Sequence, residues 1–210
     1  MEWVNIFDAE IALFAHRVLQ SAGAFATPVL KCFSVLGNGG AVFLVISAVL
    51  LLFRRTRRTG VTALLALLIG TLLTDLLLKH IVARPRPFED AASVFHRYWT
   101  AAGSMPASGY SFPSGHTTAA MAFAMAIFLC GRKRFAWLSF FIPVLMGFSR
   151  IYFGVHYASD VAAGLAVGLL AGLAAWATVM LLKRTKWFSR FLGARGITEC
   201  FGKNRSHDEE

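Results

Sequence analysis

Long apolar runs with almost no charged residues occupy most of the central part of this chain. A helix needs about 20 mostly apolar residues to cross the hydrocarbon layer of a bilayer. Five runs reach or approach this length, at residues 41–53, 61–80, 115–130, 135–153 and 158–182. Only 15% of the residues are charged, against about 25% in a typical soluble domain. The runs predict an all-α fold, a polytopic membrane helical bundle with five to six transmembrane helices and an N-terminal interfacial helix.

The first 36 residues are less regular, because polar side chains interrupt the apolar ones. We predict that residues 4–20 form an amphipathic helix lying in the membrane interface. A shorter second piece, which contains Pro28 and Lys31, follows it. A tilted first span over residues 9–36 is the alternative.

Most of the basic residues lie in clusters between or after the apolar runs, at 54–58, 132–134 and 183–190. Cytoplasmic loops of membrane proteins are enriched in Lys and Arg, so we expect all of these clusters on the cytoplasmic side. The loops at 81–114 and 151–158 then face the outside. The net charge of +10 is therefore assigned to the membrane surface, and no nucleic-acid partner is expected.

The chain is predicted to have one compact core with two flanking segments. The segments are 1–36 as the N-terminal part, 37–183 as the transmembrane core and 184–210 as a basic cytoplasmic tail. The cysteines Cys32, Cys130 and Cys200 are far apart, and their spacing matches no metal site. Since no cluster of Asp and Glu suggests a metal site either, neither a metal nor a cofactor is expected.

The outer end of the second apolar run carries three cations, Lys79, Arg84 and Arg86, together with two prolines that end the helix. Guanidinium groups on a rigid segment can bind phosphate oxygens through two hydrogen bonds each. The alternative is a set of anchors at the membrane interface. Asp75 lies four residues before Lys79, on the same helix face, and is the predicted partner of that lysine.

A second polar stretch, Ser114–Gly115–His116, stands directly before an apolar helix. Ser114 can cap this helix, and the free N–H groups of the first turn can bind an anion. Gly115 allows a ligand to approach the backbone closely. His116 is then placed to donate a proton near a bound phosphate. An ordinary capped helix start is the alternative.

A third stretch contains Arg150, His156 and Asp160. Arg150 is predicted to be buried near the end of an apolar run, where it requires an anionic partner. His156 and Asp160 are four residues apart, so they share a face if this stretch is helical. A carboxylate that holds one imidazole nitrogen fixes the tautomer and makes the other nitrogen more nucleophilic.

These three stretches together resemble the signature of the type 2 phosphatidic acid phosphatase family, the lipid phosphate phosphatases. Its pattern is Lys, six residues, Arg-Pro, then Pro-Ser-Gly-His, then Ser-Arg, five residues, His, three residues, Asp. Every position and spacing is present here, in the same order, between about 75 and 165. The resemblance implies a helical membrane bundle with one phosphate site.

The resemblance also implies residue roles. His156 is the expected nucleophile, which becomes phosphohistidine, and Asp160 orients it. His116 is the expected general acid, which later activates water. The expected phosphate-binding groups are Lys79, Arg86, Arg150, Ser114 and the Gly115 amide. Arg84 is a candidate contact for a second phosphate.

Small bacterial members of this family commonly act on undecaprenyl diphosphate, and this chain is similar to them. The expected partners are thus a lipid phosphate or diphosphate substrate and membrane lipids, with the active site on the extracytoplasmic side of the plasma membrane. Phosphatidic acid and phosphatidylglycerol phosphate are alternative substrates, and residues 88–112 are the expected place of selectivity or of interfacial anchoring. A lipid or anion transporter is the alternative of another class. The vanadium haloperoxidases share similar pocket residues but are soluble. The sequence assigns no oligomeric state.

Overall fold

The computed structural model describes residues 2–131 and 133–194. Arg132, Cys200 and the end of the predicted basic tail lie outside the described residues. Helices and short connections make up the described ranges, which contain no β-strand. The helices are α1 Glu2–Leu36, α2 Ala41–Leu52, α3 Arg57–Val82, α4 Val94–Ala101, α5 Gly115–Cys130, α6 Trp137–Tyr152, α7 Ala158–Leu182 and α8 Lys186–Gly193.

Six of these helices are apolar enough to belong to a membrane bundle. In the described part of the chain, α1, α3 and α7 have both the length and the composition to cross a bilayer. The helices α2, α5 and α6 are apolar but shorter. The prediction of an all-α, polytopic membrane bundle is confirmed.

Helix α1 is one continuous helix through Pro28, and not the two separate pieces that the sequence predicted. Residues along the whole length of α1 contact the other helices, and these contacts all lie near the same end of the bundle. These contacts pair Asp8 with Ser159, His16 with Tyr98, Thr27 with Tyr152 and Ser34 with Arg150. The helix thus runs along the end of the bundle that carries the polar motifs. Its interfacial position in the membrane stays a prediction.

The centre of the bundle is built by α3, α5 and α7, which pack against one another. Small residues on α7 allow α5 to approach closely, as is common where lipid provides no hydrophobic drive for association. A Cβ on Gly164 would lie 2.7 Å from the carbonyl oxygen of Ser114, and one on Gly168 would lie 2.5 Å from that of Thr118. This contact fixes the start of α5 against the start of α7.

Replacing Gly168 by leucine is expected to destabilise the protein strongly. The new side chain meets the backbone of α5, which cannot move aside, so the cost exceeds the roughly 1–3 kcal/mol that is usual for an overpacked core. Thermal unfolding in detergent measures the effect. Gly193→Leu is the matched control, because a Cβ at Gly193 has no atom within 4 Å. Equal melting temperatures for both variants would contradict this packing.

The other end of the bundle is held by basic residues. Arg57 is buried and donates hydrogen bonds to the carbonyl oxygens of Phe191 at 2.9 Å and Ala194 at 2.7 Å. Arg58 donates to the carbonyl oxygen of Cys130 at 3.3 Å. Cations are favourable at helix C-termini, where carbonyl groups lack partners. The bonds of Arg57 tie α8 to the bundle, and the bond of Arg58 ties α3 to α5, at the end opposite the polar motifs.

Candidate active site

One cavity of about 750 Å³ opens at the end of the bundle along which α1 runs. Most of the site residues predicted from the sequence line it: Lys79, Arg86, Gly115, His116, Arg150 and His156. Asp160 and Ser114 are fully buried and lie in the wall behind this surface. The structure therefore brings the three polar stretches to one place.

Lys79 reaches the cavity from a helix that is locally widened. The segment Leu72–Leu78 within α3 is a π-helix, a form that is frequent at functional sites. Lys79 Nζ lies 2.6 Å from Asp75 Oδ1, so the predicted pair is present. A Cβ on Gly115 would lie 3.9 Å from the same Nζ. The first and second motifs thus meet across the start of α5.

Ser114 stands at the N-cap position of α5, as the sequence indicated, but its side chain makes no capping hydrogen bond. Its Oγ instead accepts a hydrogen bond of 2.9 Å from Thr117 Oγ1. The first turn of α5 therefore has no acceptor from Ser114, and its N–H groups are available to an anion.

Arg86 fixes the loops around the nucleophile. Its guanidinium donates to the carbonyl oxygens of Ser108 at 2.7 Å, Gly109 at 2.9 Å and Val155 at 2.9 Å. Nη1 also lies 3.5 Å from Nε2 of His156. Because a guanidinium can only donate, this contact assigns the lone pair to Nε2 and the proton to Nδ1.

Arg150 is buried, and part of its guanidinium is left without a protein partner. Its Nη1 donates to Ser34 Oγ and lies 3.8 Å from Met105 Sδ, whereas Nε has no hydrogen-bond partner. No carboxylate of the described residues lies within ion-pair distance of this guanidinium. A buried charge without a counter-ion is costly, so the site is prepared for a negatively charged ligand.

His156 is placed by the tight turn between α6 and α7. Gly154 in this turn has a φ of 64°, and a Cβ there would lie 2.9 Å from the backbone of Trp99. The turn directs the ring of His156 towards α7, with Nδ1 3.6 Å from Asp160 Oδ2. This distance is longer than a hydrogen bond, but the predicted pair does face each other.

The protonation state of His156 follows from its surroundings. Burial, together with the positive charges of Arg150 and Arg86, lowers the pKa of the imidazole to about 4, against the opposing effect of Asp160. The ring is therefore neutral at neutral pH. A neutral imidazole with its lone pair on Nε2 is the form that can attack phosphorus.

Arg84 has a different place from the one the sequence suggested. Its guanidinium does not line the cavity but binds two carboxylates, Asp160 at 2.7 Å and Asp8 at 2.8 Å. Asp8 comes from α1, and sequence reasoning missed it because nothing in its local pattern distinguishes it from the neighbouring acidic residues. The ion pair between buried Asp8 and half-buried Arg84 could be found only from the fold.

The aromatic residues of 88–112 have mainly a packing role. Trp99 stacks on Phe88 at a ring distance of 4.7 Å, and Phe95 contacts the ring of Tyr157 at 5.1 Å. None of these rings lines the cavity. The loop reaches the cavity through its later residues, Met105, Pro106, Ala107 and Ser108. Any selectivity of this loop would therefore come from residues 105–108.

Comparison with known proteins agrees with the geometry. The family model of the PAP2 superfamily matches residues 59–184. Undecaprenyl-diphosphatase of Sulfolobus acidocaldarius is 32% identical over 123 residues, which are 59% of this chain and 56% of that protein. Undecaprenyl-diphosphatase BcrC of Bacillus subtilis is 37% identical over 106 residues, 50% of this chain and 48% of that protein.

The chain thus spans about half the length of the curated relatives it matches. A solved structure, the transmembrane PAP2 type phosphatidylglycerolphosphate phosphatase from Bacillus subtilis, superposes with a TM-score of 0.66 and 26% identity. That superposition covers 89% of this chain and 90% of the other. Residues 59–184, which the family model matches, contain all three motifs. The chain is therefore a member of the PAP2 superfamily.

Proposed function

We propose that this protein is a membrane lipid phosphatase that hydrolyses a lipid phosphate or diphosphate. The observation that carries the proposal is that the two histidines and three cations of the motifs meet an apolar wall in one cavity. A phosphate ester or anhydride fits the polar part, and a hydrocarbon chain fits the apolar part. Of the possible substrates, undecaprenyl diphosphate, which would give undecaprenyl phosphate and phosphate, is the one we favour.

The arrangement suits a two-step transfer through His156. In the first step, Nε2 attacks phosphorus, the bond from phosphorus to the lipid oxygen breaks, and His116 gives its proton to that oxygen. In the second step, His116 takes a proton from water, the oxygen of that water attacks phosphorus, and the bond to Nε2 breaks. Asp160 stabilises the positive charge that develops on the imidazole of His156 in the first step.

The cations supply the charge that phosphoryl transfer needs. Lys79, Arg86 and Arg150 surround the place of the equatorial oxygens, and only Lys79 is directly paired with a carboxylate in the cavity wall. Stabilisation of these oxygens by fixed cations is the main contribution to catalysis of this reaction class. We therefore expect that hydrolysis does not require a divalent metal.

Two features of the cavity favour a lipid diphosphate. Lys31 and Asn38 line it as well, and they offer a further cation and an amide for a second phosphate group. The apolar wall next to them comes from α2 and α3, through Leu44, Leu64 and Leu67. Similarity to two undecaprenyl-diphosphatases agrees with this choice. Similarity to a phosphatidylglycerolphosphate phosphatase supports that lipid as the second candidate.

The proposed orientation in the plasma membrane has the cavity on the extracytoplasmic side. The described basic residues at 54–58 belong to the opposite end of the bundle, where α2 ends and α3 begins. Positive residues favour the cytoplasmic side. A lipid whose headgroup lies in the outer leaflet would then reach the cavity directly.

Phosphate release by the purified protein tests the function. We expect release in detergent with excess EDTA, fastest from undecaprenyl diphosphate and slower from phosphatidylglycerol phosphate and phosphatidic acid. A preference for phosphatidylglycerol phosphate would assign the second candidate instead. A folded sample that releases phosphate from none of the three lipids would contradict a phosphatase and favour a binding or transport protein. Activity that needs an added metal would contradict metal independence.

A further inference from the structure

A line of charged residues, with a buried carboxylate at each end, extends from α1 to the proposed nucleophile. Asp8 on α1 has only 2% of its surface exposed. Its Oδ2 accepts hydrogen bonds from Arg84 and from Ser159 Oγ, both at 2.8 Å, and its Oδ1 accepts one of 2.7 Å from the Ser159 amide. A buried carboxylate with all of these donors is a fixed part of the structure.

Arg84 connects this carboxylate to the one beside His156. Its Nη1 donates to Asp160 Oδ1 at 2.7 Å and also to Ser159 Oγ at 2.7 Å. The guanidinium carbon lies 3.8 Å from the ring centre of Tyr157, which fixes the plane of the group. The second oxygen of Asp160 accepts a hydrogen bond of 2.9 Å from the Tyr157 amide and faces Nδ1 of His156.

We propose that Asp8 is a positioning residue for catalysis, which acts through Arg84 to keep Asp160 oriented and negatively charged beside His156. This inference rests on the proposed phosphatase function. It adds a residue of α1 to the active centre, although α1 lies outside residues 59–184, where the chain matches its family. The three motifs therefore depend on a carboxylate from α1, a helix that carries none of them.

The charge count gives the physical reason. Asp8 and Asp160 each carry one negative charge and Arg84 one positive charge, so the three groups together carry one net negative charge. Without Asp8, the Arg84 guanidinium would form an ion pair with Asp160 alone, and the two charges would cancel. The imidazole of His156 becomes positively charged when it bonds to phosphorus, and a neutralised neighbour would no longer stabilise it.

The other charged groups around His156 have the opposite effect. Arg150 from α6 and Arg86 from the segment after α3 carry positive charges near the ring, and the titratable ring of His116 from α5 lies on the same side. Positive charges there disfavour a cationic imidazole. The carboxylate side of the ring, with Asp160 and behind it Asp8, is therefore the only source of compensating charge among the described residues that face it.

Asp8→Asn keeps the shape and removes the charge. We expect kcat to fall by on the order of tenfold with KM nearly unchanged, because Asp8 touches no part of the cavity. The acidic limb of the pH profile of kcat/KM, which reports protonation of His156, should move to lower pH by about one unit. Loss of a negative charge makes the imidazolium less stable, which fixes the direction of this shift.

Two controls separate charge from structure. Glu10→Gln removes the same charge from an exposed position one half-turn away on α1, and it should leave kcat and the pH profile unchanged. Ser159→Ala removes two hydrogen bonds of the same network without changing its charge, so it should not move the acidic limb. A purely structural role of Asp8 would lower the melting temperature and leave the position of the limb unchanged.

A double substitution tests whether Asp8 acts through Asp160. In the background of Asp160→Asn, the further change Asp8→Asn should have little effect on the residual rate, because residues that act through one another are not additive. Independent, multiplicative losses would overturn the proposal, and so would a wild-type rate and pH profile for Asp8→Asn. If the wild type itself releases no phosphate, the proposed function fails first, and the two failures are thus distinguishable.

Discussion

Replacing His156 by alanine is expected to lower the rate of phosphate release by about 10⁴-fold or more. The reason is that Nε2 of this residue is the atom that would bond to phosphorus. The cations of the cavity would still bind the phosphate, so binding of the lipid should remain. Rates under single-turnover conditions, with lipid binding measured separately, show whether the loss is in the chemical step.

The same substitution should leave the protein folded. The ring of His156 makes one long contact of 3.5 Å with Arg86, and its Nδ1 has no hydrogen-bond partner, so few interactions are lost. His80→Ala is the matched control. His80 is exposed and lies near the C-terminal end of α3, and its replacement should leave the wild-type rate unchanged. Wild-type protein quenched during turnover should contain acid-labile phosphate, and His156→Ala should not. Substantial turnover by the alanine variant would rule out this nucleophile.

Local sequence spacing predicted the parts of the site that lie within one element. Asp75 and Lys79 face each other because four residues make about one helical turn. The pair His156–Asp160 was predicted from the same spacing, but His156 lies in the turn before α7, so it is this turn that brings the two side chains together. The start of α5 was predicted from the Ser-Gly pattern. The apolar runs predicted the bundle, since their length and composition are sufficient on their own.

Contacts between distant segments could not be predicted in this way. The partner of Arg84 on α1 is 76 residues away, and the partner of Arg150, Ser34, is 116 residues away. No local periodicity connects such positions. Continuity of α1 through Pro28 was predicted only as the alternative, a single span over residues 9–36, because a proline inside a helix removes a hydrogen bond and normally indicates an end. Here the contacts of α1 with the end of the bundle hold both halves in line.

Replacing Arg150 by methionine should lower the activity strongly and yet make the protein more stable. The buried guanidinium has an unpaired Nε and no carboxylate partner in the described part of the chain. An apolar side chain of similar volume removes this cost, and we expect the melting temperature to rise by about 2–4 °C, corresponding to 1 kcal/mol. Ser34 keeps a partner, since its Oγ also donates to Met105 Sδ at 3.4 Å.

The activity of the same variant should fall by about 10³-fold, because one of the cations that stabilise the equatorial oxygens is lost. Orthovanadate or phosphate should raise the melting temperature of the wild type, since an anion that binds only the folded state stabilises it. The methionine variant should show a much smaller rise. Arg97→Met, at an exposed position on α4, is the control and should change neither property. An Arg150→Met variant that is less stable than the wild type would mean that the guanidinium serves the fold. A variant with a higher melting temperature that is no longer stabilised by orthovanadate or phosphate would mean that the buried guanidinium serves to bind the ligand and not to stabilise the fold.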